Sequence, residues 1–194
     1  MRKIKTAALI SGRGSNMAAL VEAARAPDYP ADIVLVLSNR VDAAGLDFAK
    51  SKGIATAVVP SKGQTRDAFD AALDAALRAR DVELIALAGF MRILTPGFVA
   101  RWEGRMINIH PSLLPDFKGL DTHARAIAAG RTEHGCTVHH VSADLDAGEI
   151  IAQARVPVLA GDDAHTLAAR VLQQEHALYP RALAQVARRL TPRE

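Results

Sequence analysis

Short apolar runs alternate along this chain with longer segments in which apolar residues recur every three or four positions. A continuous apolar run bounded by turn-forming residues is typical of a strand buried on both faces, whereas the longer spacing predicts amphipathic helices. The pattern predicts strands at residues 4–10, 33–37, 54–59, 84–88, 106–109, 137–141 and 150–158. Helices are predicted at about 15–25, 42–52, 65–80, 124–129 and 164–189, and Pro180 is expected to kink or break the last one.

This alternation of strands and helices predicts an α/β fold. We expect a single doubly wound, Rossmann-like domain over residues 1–194, with a mostly parallel central sheet and helices on both faces. The length of 194 residues fits one such domain, and an apolar fraction of 49% is enough for an ordinary core. Open parallel sheets bind their ligands beyond the carboxyl ends of the strands, so the functional residues are expected there.

Composition narrows the possible classes of function. The chain has 24 Lys and Arg against 21 Asp and Glu, and the basic residues are scattered, so a nucleic-acid partner is not expected. It has no segment resembling a signal peptide and no apolar stretch of about 18 residues, so we expect a cytoplasmic protein with no membrane partner. The single cysteine, Cys136, excludes an intrachain disulfide and is expected to be a small buried hydrophobe.

The first predicted strand ends in a glycine-containing turn, Gly12-Arg13-Gly14-Ser15-Asn16, and a helix follows at once. Free amides at a helix start can hold a phosphate, and the glycines allow the tight turn that brings a ligand close. The spacing is not the dinucleotide-binding fingerprint, because Met17 stands where the third glycine would fall. The simpler alternative is an ordinary strand-to-helix turn in which Ser15 or Asn16 caps the helix.

The fifth predicted strand ends in Asn108-Ile109-His110-Pro111-Ser112. Alternation along a strand places Asn108 and His110 on one face and Ile109 on the other, and Pro111 ends the strand. An amide that stabilises an oxyanion beside an imidazole that moves protons would suit acyl transfer. The alternative is a histidine that is merely hydrogen-bonded.

A carboxylate to pair with that imidazole is available in the turn at residues 144–148. Spacing alone does not decide between Asp144 and Asp146, and aspartates in such turns commonly only hydrogen-bond the backbone. The segment 89–94, after the fourth predicted strand, is explained equally well by packing and by a ligand pocket.

Other chemistries fit the sequence poorly. Seven histidines occur, but none forms a recognisable metal-binding spacing, so no metal is expected. His123, His134 and His165 are expected in loops or on helix surfaces. A serine nucleophile is not expected, because the chain has no Gly-x-Ser-x-Gly turn.

The motifs in this order resemble those of the phosphoribosylglycinamide formyltransferase family, which acts in purine synthesis. Residues 12–16 are similar to its phosphate loop, residues 88–94 to its folate-binding segment, and residues 145–148 to the segment that carries its catalytic aspartate. Residues 108–115 (Asn-Ile-His-Pro-Ser-Leu-Leu-Pro) match a signature that is highly specific for the wider formyltransferase group. The resemblance extends from residue 4 to about residue 180.

This resemblance implies a role for each matching residue. Asn108 would be the partner of the carbonyl or oxyanion, His110 the proton donor, and Asp146 the carboxylate that favours protonated His110. The ribonucleotide would be held by Gly14, Ser15, Asn16 and Glu175. The folate would be held by Arg66, Met91, Arg92, Ile93, Leu94, Asn108, His140, Val141 and Asp144. A cis peptide bond between Leu114 and Pro115 is implied as well.

The implied reaction moves the formyl group of the cosubstrate 10-formyltetrahydrofolate to the amine of glycinamide ribonucleotide. The amine would attack the formyl carbon directly, giving a tetrahedral intermediate without a covalent enzyme adduct. The partners would therefore be small molecules, with the protein acting as a monomer or homodimer.

Three alternatives are weighed against this reaction. A 10-formyltetrahydrofolate hydrolase shares the chemistry but carries an additional N-terminal domain, whereas the first strand here begins at residue 4. A transfer-RNA formyltransferase would need a further C-terminal domain. A non-catalytic folate- or nucleotide-binding module would not require Asn108, His110 and Asp146 together. The chain also ends soon after its last helix, so a terminal strand of longer relatives is in doubt.

Overall fold

The computed structural model describes residues 2–191 of the chain. Its seven strands are β1 (Ile4–Ile10), β2 (Ala31–Ser38), β3 (Ala55–Val58), β4 (Leu84–Leu87), β5 (Met106–His110), β6 (Glu133–His140) and β7 (Ile150–Pro157). Its six helices are α1 (Ser15–Ala24), α2 (Gly45–Ser51), α3 (Arg66–Arg78), α4 (Pro96–Arg101), α5 (Thr122–Ala128) and α6 (Ala164–Leu190).

All seven strands form one sheet in the order β3-β2-β1-β4-β5-β6-β7. The pairs from β3 through β5 are parallel, and β6 and β7 are each antiparallel to the preceding strand in the sheet. The order reverses between β1 and β4, which is the switch point at which doubly wound sheets open a ligand cleft. The predicted mostly parallel, doubly wound α/β sheet is confirmed.

Separate apolar layers cover the two faces of the sheet. The layer on one face is built with α1, α2 and α6 and includes Ile107, Ile109 and the buried Tyr179. The layer on the opposite face is built with α3 and α4 and includes Met106 and Phe98. Because parallel strands in such a fold are buried on both sides, they read as continuous apolar runs in the sequence.

Two features of the helices differ from the prediction. The short helix α4 was not predicted, because six residues are too few for a periodic pattern, although Thr95 caps it and Pro96 stands in its first turn. The last helix continues through Pro180 to Leu190, so the predicted break there is wrong. Tyr29 donates a hydrogen bond to the carbonyl of Pro180 at 2.7 Å. Within the described residues no strand follows α6.

The apolar content of the helices is limited as well. Even the 27-residue α6 carries charged side chains along its length. Among residues 2–191, no helix has both the length and the apolar character that crossing a membrane requires.

Candidate active site

The predicted site residues of β5 lie on the sheet face opposite α6. Ile107 and Ile109 belong to the apolar layer on the α6 side, so Asn108 and His110 project from the other side, as the alternation predicts. Asn108 is half-buried, whereas His110 is 6% exposed. The two polar groups therefore stand next to each other at the carboxyl end of β5.

Both ring nitrogens of His110 face oxygen atoms. Its Nδ1 lies 3.4 Å from Oδ2 of Asp146, and its Nε2 lies 3.0 Å from the carbonyl oxygen of Phe117. A ring nitrogen that carries a hydrogen can donate it to the oxygen it faces. The geometry thus holds the imidazole between a carboxylate and a backbone carbonyl.

The turn between β6 and β7 brings Asp146 back over this face. Asp146 has a left-handed backbone, with φ at 47°, and its Oδ2 also accepts a hydrogen bond from the Gly119 amide at 2.9 Å. Gly148 is required in the turn, because a Cβ there would overlap the carbonyl of His140. Asp144 is exposed, so the aspartate that reaches His110 is Asp146.

His139 joins this cluster and was not predicted as a site residue. It pairs with Asn108 across β5 and β6, and its Nε2 lies 3.2 Å from Nδ2 of Asn108 and 3.7 Å from Oδ1 of Asp146. Its Nδ1 lies 2.9 Å from the carbonyl oxygen of His140. Burial lowers the pKa of His139, which favours a neutral ring with hydrogen on Nδ1 and with Nε2 accepting from Asn108. His139 therefore orients the Asn108 amide.

A buried hydroxyl fixes the chain where it leaves β5. The Thr137 hydroxyl donates to the carbonyl of Ser112 at 2.7 Å and accepts from the amide of Leu114 at 3.0 Å. Gln153 donates to the carbonyl of Leu114 at 2.9 Å. The peptide bond between Leu114 and Pro115 is cis, as the resemblance implied. These contacts hold the segment that continues past Phe117 and supplies the carbonyl facing His110.

At the switch point, the turn after β1 forms an anion-suited loop. Gly14 occupies the position before α1 with a left-handed backbone, at φ 70° and ψ 34°, and no side chain caps the helix. The alternative in which Ser15 or Asn16 is the cap is therefore wrong, because both residues lie inside the helix. Since no side chain caps the start of α1, its first amides are available to an anion.

Glu175 of α6 lies beside this loop. Nδ2 of Asn16 donates to Oε2 of Glu175 at 2.6 Å, although the residues are 159 positions apart. Glu175 is 7% exposed, and its burial raises the pKa of its carboxyl group. The four residues expected to hold the ribonucleotide, Gly14, Ser15, Asn16 and Glu175, are thus brought together.

The segment after β4 lies beside the end of β1, because the Ser11 amide donates to the Gly89 carbonyl at 3.1 Å. Met91 and Ile93 are 71% and 58% exposed, whereas Leu94 is buried. The guanidinium of Arg92 lies over the Phe69 ring, 4.9 Å from its centroid, and its Nη2 donates to the carbonyl of Gln64 at 3.3 Å. Arg92 therefore ties this segment to the turn that precedes α3.

The other residues expected at the folate lie at the edges of these clusters. Arg66 is exposed at the start of α3, two residues after Gln64, whose carbonyl accepts from Arg92. His140 and Val141 are half-buried where β6 passes into the turn that carries Asp146, and Asp144 is exposed in that turn. In the described part of the chain, Arg66 forms no hydrogen bond with Asn108, His110 or Asp146.

The expected surface location of His134 is wrong. His134 is 1% exposed in β6, which begins four residues earlier than predicted, and its Nε2 lies 3.2 Å from Nδ1 of His123. Burial lowers the pKa of His134 to about 4, against a smaller upward effect from its hydrogen bond to the Pro111 carbonyl. Cys136 is buried, as predicted. Among residues 2–191, no three His, Cys, Asp or Glu side chains are grouped closely enough to hold a metal ion.

A doubly wound sheet with an Asn-His pair, a facing aspartate and an anion-suited loop defines a class of group-transfer enzyme. The chain belongs to the formyl transferase family, whose sequence pattern matches residues 4–183.

Particular members of this family are closely similar. The chain is 46% identical to the phosphoribosylglycinamide formyltransferase of Escherichia coli (strain K12) over 173 residues, covering 89% of this chain and 82% of that protein. The crystal structure of phosphoribosylglycinamide formyltransferase from Brucella melitensis superimposes with a TM-score of 0.93 at 50% identity, and each chain is covered completely.

A longer protein is similar over the same region. The trifunctional purine biosynthetic protein adenosine-3 of Bos taurus is 50% identical over 187 residues, which is 96% of this chain. The chain spans 18% of the length of that protein.

Proposed function

We propose that this protein transfers the formyl group of 10-formyltetrahydrofolate to the amine of glycinamide ribonucleotide. The observation that carries the proposal is the placement of His110 beside Asn108, with Nδ1 directed at Asp146 and Nε2 at a backbone carbonyl. Such an imidazole can give a proton to a developing charge, and the carboxylate offsets the charge of its protonated form. The similarity to phosphoribosylglycinamide formyltransferases names the substrates.

The ribonucleotide and the folate would enter from two sides of the catalytic residues. The phosphate would bind the amides of Gly14, Ser15 and Asn16 at the start of α1, where the helix dipole favours an anion. Glu175 would accept hydrogen bonds from the ribose, because its Oε2 already accepts one from Asn16 at the same place.

The folate would occupy the side of the cleft formed by the segment after β4. Its heterocycle would lie against Met91, Arg92, Ile93 and Leu94, and the turn bearing His140, Val141 and Asp144 would close over it. Arg66, exposed at the start of α3, would meet a carboxylate of the folate tail. The exposed apolar side chains of Met91 and Ile93 support this assignment, since a heterocycle would bury them.

The amine nitrogen would then attack the formyl carbon, and the carbonyl double bond would open to an oxyanion. Asn108 and protonated His110 would stabilise that oxyanion by hydrogen bonds. Collapse of the tetrahedral intermediate would break the bond to N10 of the folate. A proton passed from the attacking amine to N10 would leave formylated product and tetrahydrofolate, with His110 unchanged overall.

The test is an assay with 10-formyltetrahydrofolate in the presence and absence of glycinamide ribonucleotide. We expect tetrahydrofolate to form only when the amine is present, with formylated ribonucleotide produced in equal amount. Formate released without the amine would instead identify a hydrolase. No turnover under either condition would leave a binding module and would overturn the proposal.

A variant in the same assay addresses the proton donor. His110→Ala should lower kcat by about 10²–10⁴-fold, because a general acid and one oxyanion partner are lost. Tetrahydrofolate should still bind, since the segment after β4 is untouched. Turnover at the wild-type rate would refute the role of His110.

A further inference from the structure

A chain of buried hydrogen bonds crosses the carboxyl edge of the sheet, outside the catalytic cluster. The Met91 amide donates to Oγ of Ser11 at 2.7 Å, and the Ser11 hydroxyl donates to Oδ1 of Asn39 at 2.6 Å. Nδ2 of Asn39 then donates to Oγ of Ser61 at 3.1 Å. The chain runs from the segment after β4, through the residues that follow β1 and β2, to the turn after β3, which is the order of these strands in the sheet.

The members of this chain have the donors and acceptors that its hydrogen bonds use. The Ser11 hydroxyl has one hydrogen, which goes to Asn39, so its lone pairs are free to accept from the Met91 amide. The Asn39 amide uses its oxygen toward Ser11 and its nitrogen toward Ser61. Ser11 and Asn39 are 6% and 7% exposed, so water does not readily replace a lost partner.

Met91, the residue at one end of this chain of hydrogen bonds, follows an irregular turn at Gly89. Gly89 has a left-handed backbone, at φ 77°, and its carbonyl accepts from the Ser11 amide at 3.1 Å. Ser11 therefore holds the turn after β4 twice, through its backbone amide and through its hydroxyl. At the far end, Nη1 of Arg92 reaches the carbonyl of Ser61 at 3.5 Å, which closes the chain into a ring.

We infer that Ser11 and Asn39 are positioning residues for the folate, acting through the backbone of Met91 and Arg92. This inference rests on the proposed function, because it assigns the segment after β4 to the folate. Neither side chain needs to touch the ligand. Their hydrogen bonds hold the turn after β4 in the shape that exposes Met91 and Ile93. Because Ser11 directly precedes the anion-suited loop, the same hydrogen bonds connect the turn to that loop.

The experiment compares two buried serines at neighbouring strand ends. Ser11→Ala removes the acceptor for the Met91 amide and leaves Oδ1 of Asn39 without its donor. Ser38→Ala is the matched control: Ser38 is fully buried, and its hydroxyl accepts only from the local Arg40 amide at 3.0 Å. Both variants lose one buried hydroxyl, but only the first breaks the chain to Met91.

Three quantities are measured on the full-length protein. They are the Kd of tetrahydrofolate by calorimetry, the KM and kcat for 10-formyltetrahydrofolate, and the exchange rate of the Met91 amide by NMR. Ser11→Ala should raise the Kd and KM by about tenfold, equivalent to about 1.4 kcal/mol, while kcat at saturation changes by less than about threefold. The Met91 amide should exchange faster without ligand. Ser38→Ala should leave all three near wild type.

Two results would overturn the inference. One is a Ser11→Ala protein with unchanged Kd and KM; the other is a Ser38→Ala protein whose Kd rises as much, which would indicate general loosening. If Ser11→Ala does not fold, Ser61→Ala breaks the chain at its half-buried end and should raise the Kd by about threefold, an effect whose absence also counts against the inference.

If the proposed function itself were wrong, the wild-type protein rather than the variants would give the deviating result. In that case the wild-type protein would neither bind tetrahydrofolate nor turn over. The exchange rate of the Met91 amide would still report whether Ser11 fixes the turn.

Discussion

The anion-suited loop after β1 and the proposed catalytic cluster around His110 are built in different ways. The loop is a run of five consecutive residues, 12–16, whose useful groups are mainly backbone amides at the start of a helix. The cluster is made of side chains from residues 108, 110, 139 and 146, which two antiparallel strand pairings and a turn bring together. One region depends on backbone conformation, and the other depends on charge and hydrogen bonding between distant side chains.

Because of this difference, substitutions in the two regions should change different kinetic quantities. Removing a charge from the cluster changes the chemistry while the fold is kept, so the effect should fall on kcat. Adding a side-chain atom to the loop changes a backbone angle, so the effect should fall on binding of the ribonucleotide. Substitutions in each region can separate these two outcomes.

The largest effect is expected for Asp146→Asn. The asparagine oxygen can still accept from His110 and from the Gly119 amide, so the geometry is kept while the charge that offsets the imidazolium is lost. We expect kcat to fall by about 10²–10⁴-fold with little change in the Kd of tetrahydrofolate. Single-turnover kinetics and calorimetry on the same preparation check this.

Asp144→Asn is the matched comparison in the same turn. Its carboxylate is exposed and does not reach His110, so kcat should stay within about threefold of wild type and any change should fall on the KM for the folate. A kcat loss equal to that of Asp146→Asn would show that the turn, rather than the Asp146 charge, is what matters.

Much of the loop could be predicted from the sequence, because its parts are neighbours in the chain. The glycines, the end of an apolar run and the start of a helical period are all visible between residues 9 and 20. The fold was predictable for the same reason, since each buried strand has its own apolar run. The cap differs from the alternative interpretation: Gly14 takes the position that this alternative gave to Ser15 or Asn16.

The cluster was predictable only in part, because its contacts are long-range. Spacing placed Asn108 and His110 on one face, but it could not choose Asp146 over Asp144. The resemblance made that choice, and the 3.4 Å distance between Nδ1 of His110 and Oδ2 of Asp146 agrees with it. His139 was missed because its role follows from pairing opposite Asn108, which only the register of β5 and β6 reveals. A polar residue on each of two adjacent strands was the available signal.

A second prediction concerns the stability of the folded protein in acid. Burial holds the pKa of His134 at about 4, below the value of about 6.5 of an unfolded histidine. Between these values the unfolded chain binds a proton that the folded protein does not, so stability falls as the pH drops from about 6.5 to about 4. The loss from this one group is up to about 3 kcal/mol.

The variant His134→Asn isolates this contribution. It should be less stable than wild type at pH 7, and the difference in free energy of unfolding should shrink as the pH falls to 4, as measured by urea denaturation. If the difference for His134→Asn is instead constant across this range, the fold does not hold His134 neutral.

The smallest effect should come from the loop, through Gly14→Ala. Gly14 has φ at 70°, where a residue with a Cβ is strained by about 1–2 kcal/mol, and the new Cβ would lie 2.9 Å from Cε of Met17 and 3.4 Å from Cα of Gly45. The turn should relax and misplace the amides at the start of α1. We expect the KM for glycinamide ribonucleotide to rise by about tenfold with kcat nearly unchanged, in steady-state assays at saturating folate.

Gly53→Ala is the control for this prediction. Gly53 has nearly the same backbone strain, at φ 74°, but a Cβ there meets no atom within 4 Å, and it follows α2 at the opposite edge of the sheet. Both variants should lose similar stability on heating, whereas only Gly14→Ala should affect the ribonucleotide. An equal rise in KM for both would mean that general loosening weakens binding, and the loop would lose its proposed role as the phosphate site.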